Sequence, residues 1–348
     1  MAIALREKVY PGDFLQLDSI ETSVAPEIPT CYADTRRSNH KKEFEAAVSL
    51  YEALDSTEGS HRTAQLLDCR KFAWFAWHKE TCKVKVIANA CKLRWCPVCA
   101  ESRQMHIREQ VTAYIKTIRR PRLLTLTMSH SSDPLQEQVD RLYHAFRLLR
   151  KHRAIARLIR GGCWFFQIKK SKRDGCWHPH LHIILDSDYI NKFTMSQEWF
   201  LTTGNSYIID IRAITDPGKV ADYVSRYCAK PCNLSDFTEA DRIEVATVLY
   251  GKRICGSFGT GAKCRFASKP PQDAAMWQRI GNWTDIVIDR HNDPELRKVI
   301  ECYQLGESLE RHIFESVLRK VCGTQLPETA ITVNPNLRQL CWESFVHL

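Results

Sequence analysis

Apolar residues recur along this chain at two different spacings, and each spacing predicts a different element. Recurrence every three or four positions is typical of amphipathic helices, which are predicted at 41–55, 101–118, 134–149, 217–229, 238–252 and in the tail from 285. Short runs of apolar and aromatic residues predict strands at 69–77, 82–91, 123–128, 163–169, 177–185 and 206–211. Gly161 and Gly162 are expected to break the pattern before the fourth strand, and 251–269 is expected to be a basic loop.

Two pairs of these strands flank short polar turns and therefore predict hairpins. A turn near Glu80 places Cys69 opposite Cys91, because both lie eleven residues from its centre. A turn centred between Arg173 and Asp174 pairs Gln167 with His180. Directly opposite residues of a hairpin share one face of the sheet. The second hairpin therefore directs Gln167 to the same side as His180.

Length and composition narrow the class of protein. The 348 residues are enough for one large domain or two ordinary ones, and 44% are hydrophobic, which favours a folded core. Four segments are predicted: an arm with a short helix at 1–60, a cysteine-containing hairpin at 61–118, a central domain at 119–284 and a helical region at 285–348. With no signal-peptide core and no apolar run of about 20 residues, a cytoplasmic location without membrane contact is expected.

Positive charge is concentrated in one part of the chain. The net charge is +10, and residues 141–173 contain eleven Lys or Arg and no Asp or Glu. Such clustering favours a polyanionic partner, most simply nucleic acid, although a solvated helix face would also account for it. The residues predicted to bind DNA are Arg147, Arg150, Lys151, Arg153, Lys169, Lys170, Lys172 and Arg173.

A cluster of cysteines predicts a structural zinc site. Cys96 and Cys99 have the spacing with which two thiolates bind zinc from one tight turn. The first hairpin would add Cys69 and Cys91, and a shifted turn would exchange Cys69 for Cys82. Buried free thiols are the alternative, but this pattern in a reducing compartment favours zinc.

A strand with two histidines predicts a second metal site. His180 and His182 are separated by one residue, so both side chains point to one face of the strand and could bind one divalent ion. Gln167 is a candidate third oxygen ligand, or a hydrogen-bond donor behind the ligands. His178 is an alternative ligand, although Pro179 is expected to disturb the pleat beside it. The histidines could also be merely packed or surface residues.

Two tyrosines on one predicted helix provide candidate nucleophiles. Tyr223 and Tyr227 are four residues apart on one helix face, and Lys230 follows on the same side. Near a metal-bound phosphate a tyrosine hydroxyl can attack phosphorus, and a lysine can stabilise the developing charge. Tyrosines four residues apart on a helix more often belong to the apolar face that packs in the core. The functional interpretation therefore depends on their combination with the histidines and the basic segment.

At this point the chain resembles the HUH endonucleases. His180-Leu181-His182 is similar to their histidine motif, and Tyr227-Cys228-Ala229-Lys230 matches their Tyr-x-x-Lys motif. Leu124-Thr125-Leu126-Thr127 resembles the short motif that precedes both, and Cys91 to Cys99 resembles the cysteine segment of rolling-circle plasmid replication initiators. The ordered set covers roughly residues 65–232, about half of the chain.

The resemblance implies an α+β fold in which helices flank an antiparallel sheet, with Mg²⁺ or Mn²⁺ on a central strand. It implies that 119–284 is an HUH-type nickase domain, which nicks and rejoins single-stranded plasmid origin DNA through a covalent 5′-phosphotyrosine. Tyr227 matches the position of the nucleophile. Many plasmid initiators have a glutamate at the position of Tyr223, and in having a tyrosine there this chain resembles the two-tyrosine relatives. Gln167 stands where an acidic ligand is common, and a neutral ligand would bind the ion more weakly.

Two other functions remain open. A two-tyrosine transposase would use the same chemistry on a different DNA end. A non-catalytic, zinc-dependent DNA-binding regulator would use the histidines and tyrosines only as structural residues. The C-terminal helices could recruit a host helicase, dimerise or cap the sheet.

Overall fold

The protein is described by a computed structural model that covers residues 28–129, 131–264, 266 and 274–322. Most of the predicted N-terminal arm, part of the predicted basic loop and the end of the predicted C-terminal region lie outside these residues. Within them, no helix is long and apolar enough to cross a membrane.

Helices and strands follow one another as an α+β chain. The helices are α1 (Tyr32–Arg37), α2 (Lys41–Glu58), α3 (Arg62–Leu67), α4 (Pro97–Thr117), α5 (Leu135–Leu149), α6 (Arg153–Ala156), α7 (Lys192–Thr203), α8 (Pro217–Ala229), α9 (Glu239–Val248), α10 (Trp283–Asp289), α11 (Pro294–Leu305) and α12 (Arg311–Cys322). The strands are β1 (Ala73–His78), β2 (Val84–Ala88), β3 (Pro121–Thr127), β4 (Ile159–Lys170), β5 (Trp177–Ser187), β6 (Ile209–Ala213), β7 (Cys255–Gly259) and β8 (Trp277–Asn282).

The larger sheet has five antiparallel strands in the order β6-β3-β5-β4-β7, with the histidine strand β5 at its centre. Alternation along the strands separates two faces. One face carries Phe165 and Ile184 and packs against residues of α4 and α8. The other carries Phe166 and Leu181 and packs with residues of α5, α7 and α9. The expected α+β fold with an antiparallel sheet flanked by helices is confirmed.

A smaller sheet joins distant parts of the chain in the order β2-β1-β8. The hairpin of β1 and β2 pairs Ala73 with Ala88, and β8 adds to the free edge of β1. Its core includes stacked pairs of Phe75 with Trp283 and Trp77 with Phe314, so the C-terminal helices cover this sheet. The first hairpin of the chain is therefore completed by residues about two hundred positions later.

The main departures from the sequence-based elements are at glycines and sheet edges. Strand β4 runs through Gly161 and Gly162, where a break was expected, and β7 lies within the segment expected to be a loop. A Cβ on Gly259 or Gly261 would lie 2.1 Å from a backbone oxygen of β4, so only glycine allows this approach. Glycine-rich segments have a weak strand propensity, so the sequence pattern does not predict these strands. Close packing of their backbones stabilises them instead.

Candidate active site and cysteine cluster

The two histidines of β5 lie on one face of the central strand, and β3 supplies a hydroxyl partner for each. His182 Nδ1 lies 3.1 Å from Thr125 Oγ1, and His180 Nδ1 lies 3.2 Å from Thr127 Oγ1. These contacts follow from the register, which pairs Thr125 with His182 and Thr127 with His180. A hydrogen bond at Nδ1 orients each imidazole ring, so Nε2 is the ring nitrogen that an ion would contact. In His182 an ion would replace the contact of this atom with Gln167.

Burial keeps both histidines uncharged. Burial, together with the charges of Lys169 and His178, lowers the pKa of His180 to about 4. Burial, together with the charges of His180 and Lys169, lowers the pKa of His182 to about 3. Neutral imidazole is the form that binds metal ions, so both rings are ready to bind at neutral pH.

Gln167 adds a candidate oxygen ligand to the two histidines on this face. Strand β4 pairs Gln167 with His180, as the hairpin centre predicted. The side chain reaches diagonally, so that its Oε1 lies 2.9 Å from His182 Nε2. His178 stacks near His180, with ring centroids 6.5 Å apart, and so lies beside the site. Pro179 continues the strand and pairs with Ile168, so the expected disturbance of the pleat is absent.

Helix α8 brings both tyrosines against the histidines. The ring of Tyr227 stacks on His182 at a centroid distance of 5.0 Å, and the ring of Tyr223 meets His182 edge-on at 5.2 Å. The helix begins at Pro217, where the Asp216 side chain accepts a hydrogen bond from the Lys219 N–H. Burial and a hydrogen bond with Tyr227 raise the pKa of Tyr223 above its usual range, so this phenol is protonated at neutral pH.

Lys230 lies at the C-terminal end of α8 and is held by a carboxylate from elsewhere in the chain. Its Nζ lies 3.2 Å from Glu43 Oε2 on α2. Glu43 also accepts hydrogen bonds from the backbone of Leu234 and Ser235. Burial raises the pKa of Glu43, but the Ser235 hydroxyl and the Lys230 charge outweigh it and the pKa is lowered overall. The lysine is therefore fixed at one edge of the tyrosine helix.

The basic residues predicted to bind DNA do not form one surface. Lys169 shares the histidine face, while Lys172 and Arg173 are exposed in the adjoining turn of the β4–β5 hairpin. Lys170 points to the opposite face, where it forms an ion pair with Asp241 and lies over the Trp177 ring. The other four lie at or just beyond the C-terminal end of α5: Arg147, Arg150, Lys151 and Arg153.

Four buried cysteine sulfurs converge beside α4. They belong to Cys69, Cys91, Cys96 and Cys99, and all lie within 4.8 Å of one another. Cys99 Sγ lies 3.6 Å from Cys69 Sγ and 3.7 Å from Cys91 Sγ. A tetrahedral zinc ion with Zn–S bonds of about 2.3 Å needs sulfurs about 3.8 Å apart, so the cluster fits zinc closely. Cys82, the alternative fourth ligand, is absent from this cluster.

Hydrogen bonding among the thiols favours thiolate at two positions. Hydrogen bonds from Cys69, Cys91 and Cys96 hold the pKa of Cys99 well below its usual range. Bonds from Cys91 and Cys96 lower the pKa of Cys69. The same contacts raise the pKa of Cys91 and Cys96 above its usual range, so a zinc ion would displace the protons of these two thiols.

Sequence reasoning missed the roles of Thr125, Thr127 and Glu43. The two threonines belong to the short motif that precedes the histidines, and their alternation along a strand is a signal that they share one face. Glu43 had no signal, because nothing local in the sequence connects it with Lys230, 187 positions later.

Comparison with known families matches residues 83–279 to the family described as "Replication protein". Curated relatives include a "Protein rep" of Bacillus sp, 26% identical over 49% of this chain and 62% of the relative. A "Protein rep" of Bacillus amyloliquefaciens is 27% identical over 52% of this chain and 57% of the relative. One of Staphylococcus aureus is 29% identical over 40% of this chain and 67% of the relative.

The matched region therefore spans about 60% of the length of the first two relatives. No solved structure matches the chain.

Proposed function

The chain belongs to the replication protein family, and on that premise we propose that it initiates rolling-circle replication of a plasmid. In this proposal it nicks and rejoins single-stranded origin DNA through a covalent 5′-phosphotyrosine. The observation that carries the proposal is the contact of Tyr223 and Tyr227 with His182, at 5.2 and 5.0 Å between ring centroids. Tyr223 and Tyr227 also pack against the apolar residues between α8 and the sheet, but the contact of both phenols with the same buried histidine supports a catalytic role.

The donors on this face suit a divalent cation. His180 and His182 supply imidazole nitrogens and Gln167 supplies an amide oxygen, all neutral. Mixed nitrogen and oxygen donors suit Mn²⁺ better than Mg²⁺, which prefers oxygen and keeps several waters. When bound here, such an ion would act as a Lewis acid toward a phosphate oxygen of the DNA.

The protein's own residues then account for the remaining chemistry. The hydroxyl oxygen of Tyr227 forms a bond to phosphorus as the bond to the 3′ oxygen breaks, and the phenol proton ends on the released 3′-hydroxyl. Tyr223, whose ring lies 5.2 Å from that of Tyr227, is placed for a second transfer of the same kind. Reversal onto a new 3′-hydroxyl rejoins the strand, because the phosphotyrosine conserves the bond energy. Lys230, which Glu43 holds by an ion pair, would stabilise the developing charge of a phosphate at this end of the helix.

The other predicted residues are assigned supporting roles. Lys169, Lys172 and Arg173 lie along the hairpin that carries the histidines and would contact the DNA backbone, with steep salt dependence. The four cysteines would hold a structural zinc that anchors the start of α4, the long helix beside α8. The family match favours a replication role over transposition, and the tyrosine–histidine contact favours catalysis over a purely regulatory role.

Incubation with an origin-derived single-stranded oligonucleotide and Mn²⁺ tests this function. A covalent protein–DNA adduct should form, and mass spectrometry should place the DNA on Tyr227 or Tyr223. The double variant Tyr223→Phe/Tyr227→Phe should form none, while Tyr250→Phe, which changes an exposed tyrosine outside the site, should behave as the wild type. Absence of an adduct in the wild type, or its persistence in the double variant, would contradict the proposal.

A further inference from the structure

A cavity of about 420 Å³ lies on the face of the large sheet opposite the histidines. Strand alternation establishes the side, because Phe165 packs with the α4 and α8 residues while its neighbour Trp164 packs with α5. The cavity is lined by Asp140, Tyr143, Phe146, Arg147, Arg150, Trp164, Lys252 and Arg253. Its volume is within the range of small-ligand sites, roughly 300–1,000 Å³.

Aromatic rings form one wall of this cavity. Trp164 meets Tyr143 edge-on at 5.5 Å between centroids, and Phe146 lies 6.4 Å from Trp164. On its other side the indole lies against β7, where a Cβ on Gly256 would come within 2.7 Å of it. Glycine is thus required for the indole to lie flat there. No described residue accepts a hydrogen bond from the Trp164 indole N–H.

Positive charge forms the other wall. Lys252 is neutralised by an ion pair with Asp140. Within the described part of the chain, no carboxylate lies at ion-pair distance from Arg147, Arg150 or Arg253. Asp140 also lies close enough to Arg147 for their charges to interact, so one carboxylate faces four cationic side chains beside the edge-on aromatic rings.

Arg150 is held in place rather than free in solvent. Its guanidinium lies 4.7 Å from the centroid of Phe146 and 4.6 Å from that of Phe258. Its Nε is buried and has no hydrogen-bond partner. Burial and the charge of Arg147 lower the pKa of Arg150, an unfavourable arrangement that a bound anion would relieve.

This combination fits one class of ligand. An aromatic face that stacks on a base, beside guanidinium groups that bind phosphate, is how single-stranded nucleic acids are held without sequence preference. We propose that the cavity binds a nucleotide of single-stranded DNA, with its base against Trp164 and its phosphate among Arg147, Arg150 and Arg253. The inference deepens the proposed function, on which it rests for the choice of DNA as ligand. Because the histidines occupy the opposite face, this is a second contact with the strand, separate from the nicking site.

Binding of a fluorescent fifteen-nucleotide oligothymidine without added Mn²⁺ or Mg²⁺ tests the second contact without any nicking. Arg147→Gln/Arg253→Gln should weaken binding by roughly tenfold or more, from lost phosphate contacts. The matched control is Arg297→Gln/Arg319→Gln, which removes the same charge from exposed arginines of α11 and α12. Trp164→Phe should weaken binding by a smaller factor, because a smaller ring remains for stacking.

Equal affinities of the pocket variant and the control variant would overturn the inference. Equally tight binding of free thymidine monophosphate by the wild type would also overturn it, since the ligand would then be a free nucleotide and not a strand. Adduct formation by the wild type is measured separately with Mn²⁺. Failure there, with the pocket variant still impaired in oligothymidine binding, refutes the nicking function and leaves the second contact intact.

Discussion

At the scale of single residues, two hydroxyls decide how the histidines are presented. Thr125 and Thr127 each contact the Nδ1 of a histidine across the β3–β5 ladder. Each imidazole would otherwise rotate about its χ2 torsion, which is broad for this side chain. The hydrogen bonds orient both rings, which would make the threonines positioning residues of the proposed metal site.

Replacing both hydroxyls by methyl groups, in Thr125→Val/Thr127→Val, should weaken Mn²⁺ binding by about 10–100-fold, the usual cost of losing such partners. The shape is conserved, but each buried Nδ1 loses its hydrogen bond, so the thermal midpoint of the protein without Mn²⁺ should also fall modestly. Isothermal titration calorimetry with Mn²⁺ measures the affinity. Thr247→Val, at an exposed position of α9, is the matched control. Unchanged affinity in the double variant would remove the positioning role.

At the scale of elements, Glu43 ties α2 to the end of the tyrosine helix. It receives the Lys230 ion pair and the backbone N–H groups of Leu234 and Ser235, so one carboxylate holds three segments together. The pKa of Glu43 is lowered in the folded protein. A lowered carboxyl pKa contributes stability that is present above the unfolded value and is lost as pH falls through the folded value.

Glu43→Gln should therefore lower the free energy of unfolding by about 1–2 kcal/mol at pH 7, where the carboxylate is charged. The difference between wild type and variant should shrink as pH falls below the ordinary glutamate range, because the wild-type carboxyl then takes up a proton. Urea unfolding of both proteins at pH 7 and in the acid range measures this. A difference that is independent of pH would mean that charge at Glu43 contributes nothing.

The large sheet contains a strand that the local sequence predicts poorly and that tertiary packing stabilises. Its edge strand β7 pairs with β4 through a glycine-rich segment, and Gly261 then passes so close that a Cβ would lie 2.1 Å from the Gly162 oxygen. Periodicity does not report such packing, since glycine has no side chain to alternate. The central strands, by contrast, have long apolar and aromatic runs, and both their positions and the pairing of Gln167 with His180 were predictable.

At the scale of the whole molecule, the cysteine cluster joins segments that helices and strands alone leave separate. Cys69 follows α3, Cys91 follows β2, and Cys96 and Cys99 lie at the start of α4. The family match begins at residue 83, so Cys69 lies outside it. The geometry nevertheless places the Cys69 sulfur in the cluster.

Cys69→Ser should reduce zinc content well below one ion per chain and lower the thermal midpoint, because metal binding is coupled to folding. Cys82→Ser should retain zinc, since Cys82 lies outside the cluster. Atomic emission on purified protein gives the stoichiometry, and a thermal melt with and without a chelator gives the stability. Zinc loss in Cys82→Ser together with retention in Cys69→Ser would reverse the assignment of the fourth ligand.

Local sequence determined the features whose physics is local. Strand alternation placed His180 and His182 on one face of a strand, and helical spacing placed Tyr223 and Tyr227 on one face of a helix. The Cys-x2-Cys spacing predicted a metal-binding turn. Only the tertiary structure brought these together: the contact of both tyrosines with His182, Glu43 on Lys230, β8 on β1, and a basic aromatic cavity behind the sheet. Those arrangements join residues far apart in the chain, and no local period or spacing encodes them, because they arise from packing of complete elements.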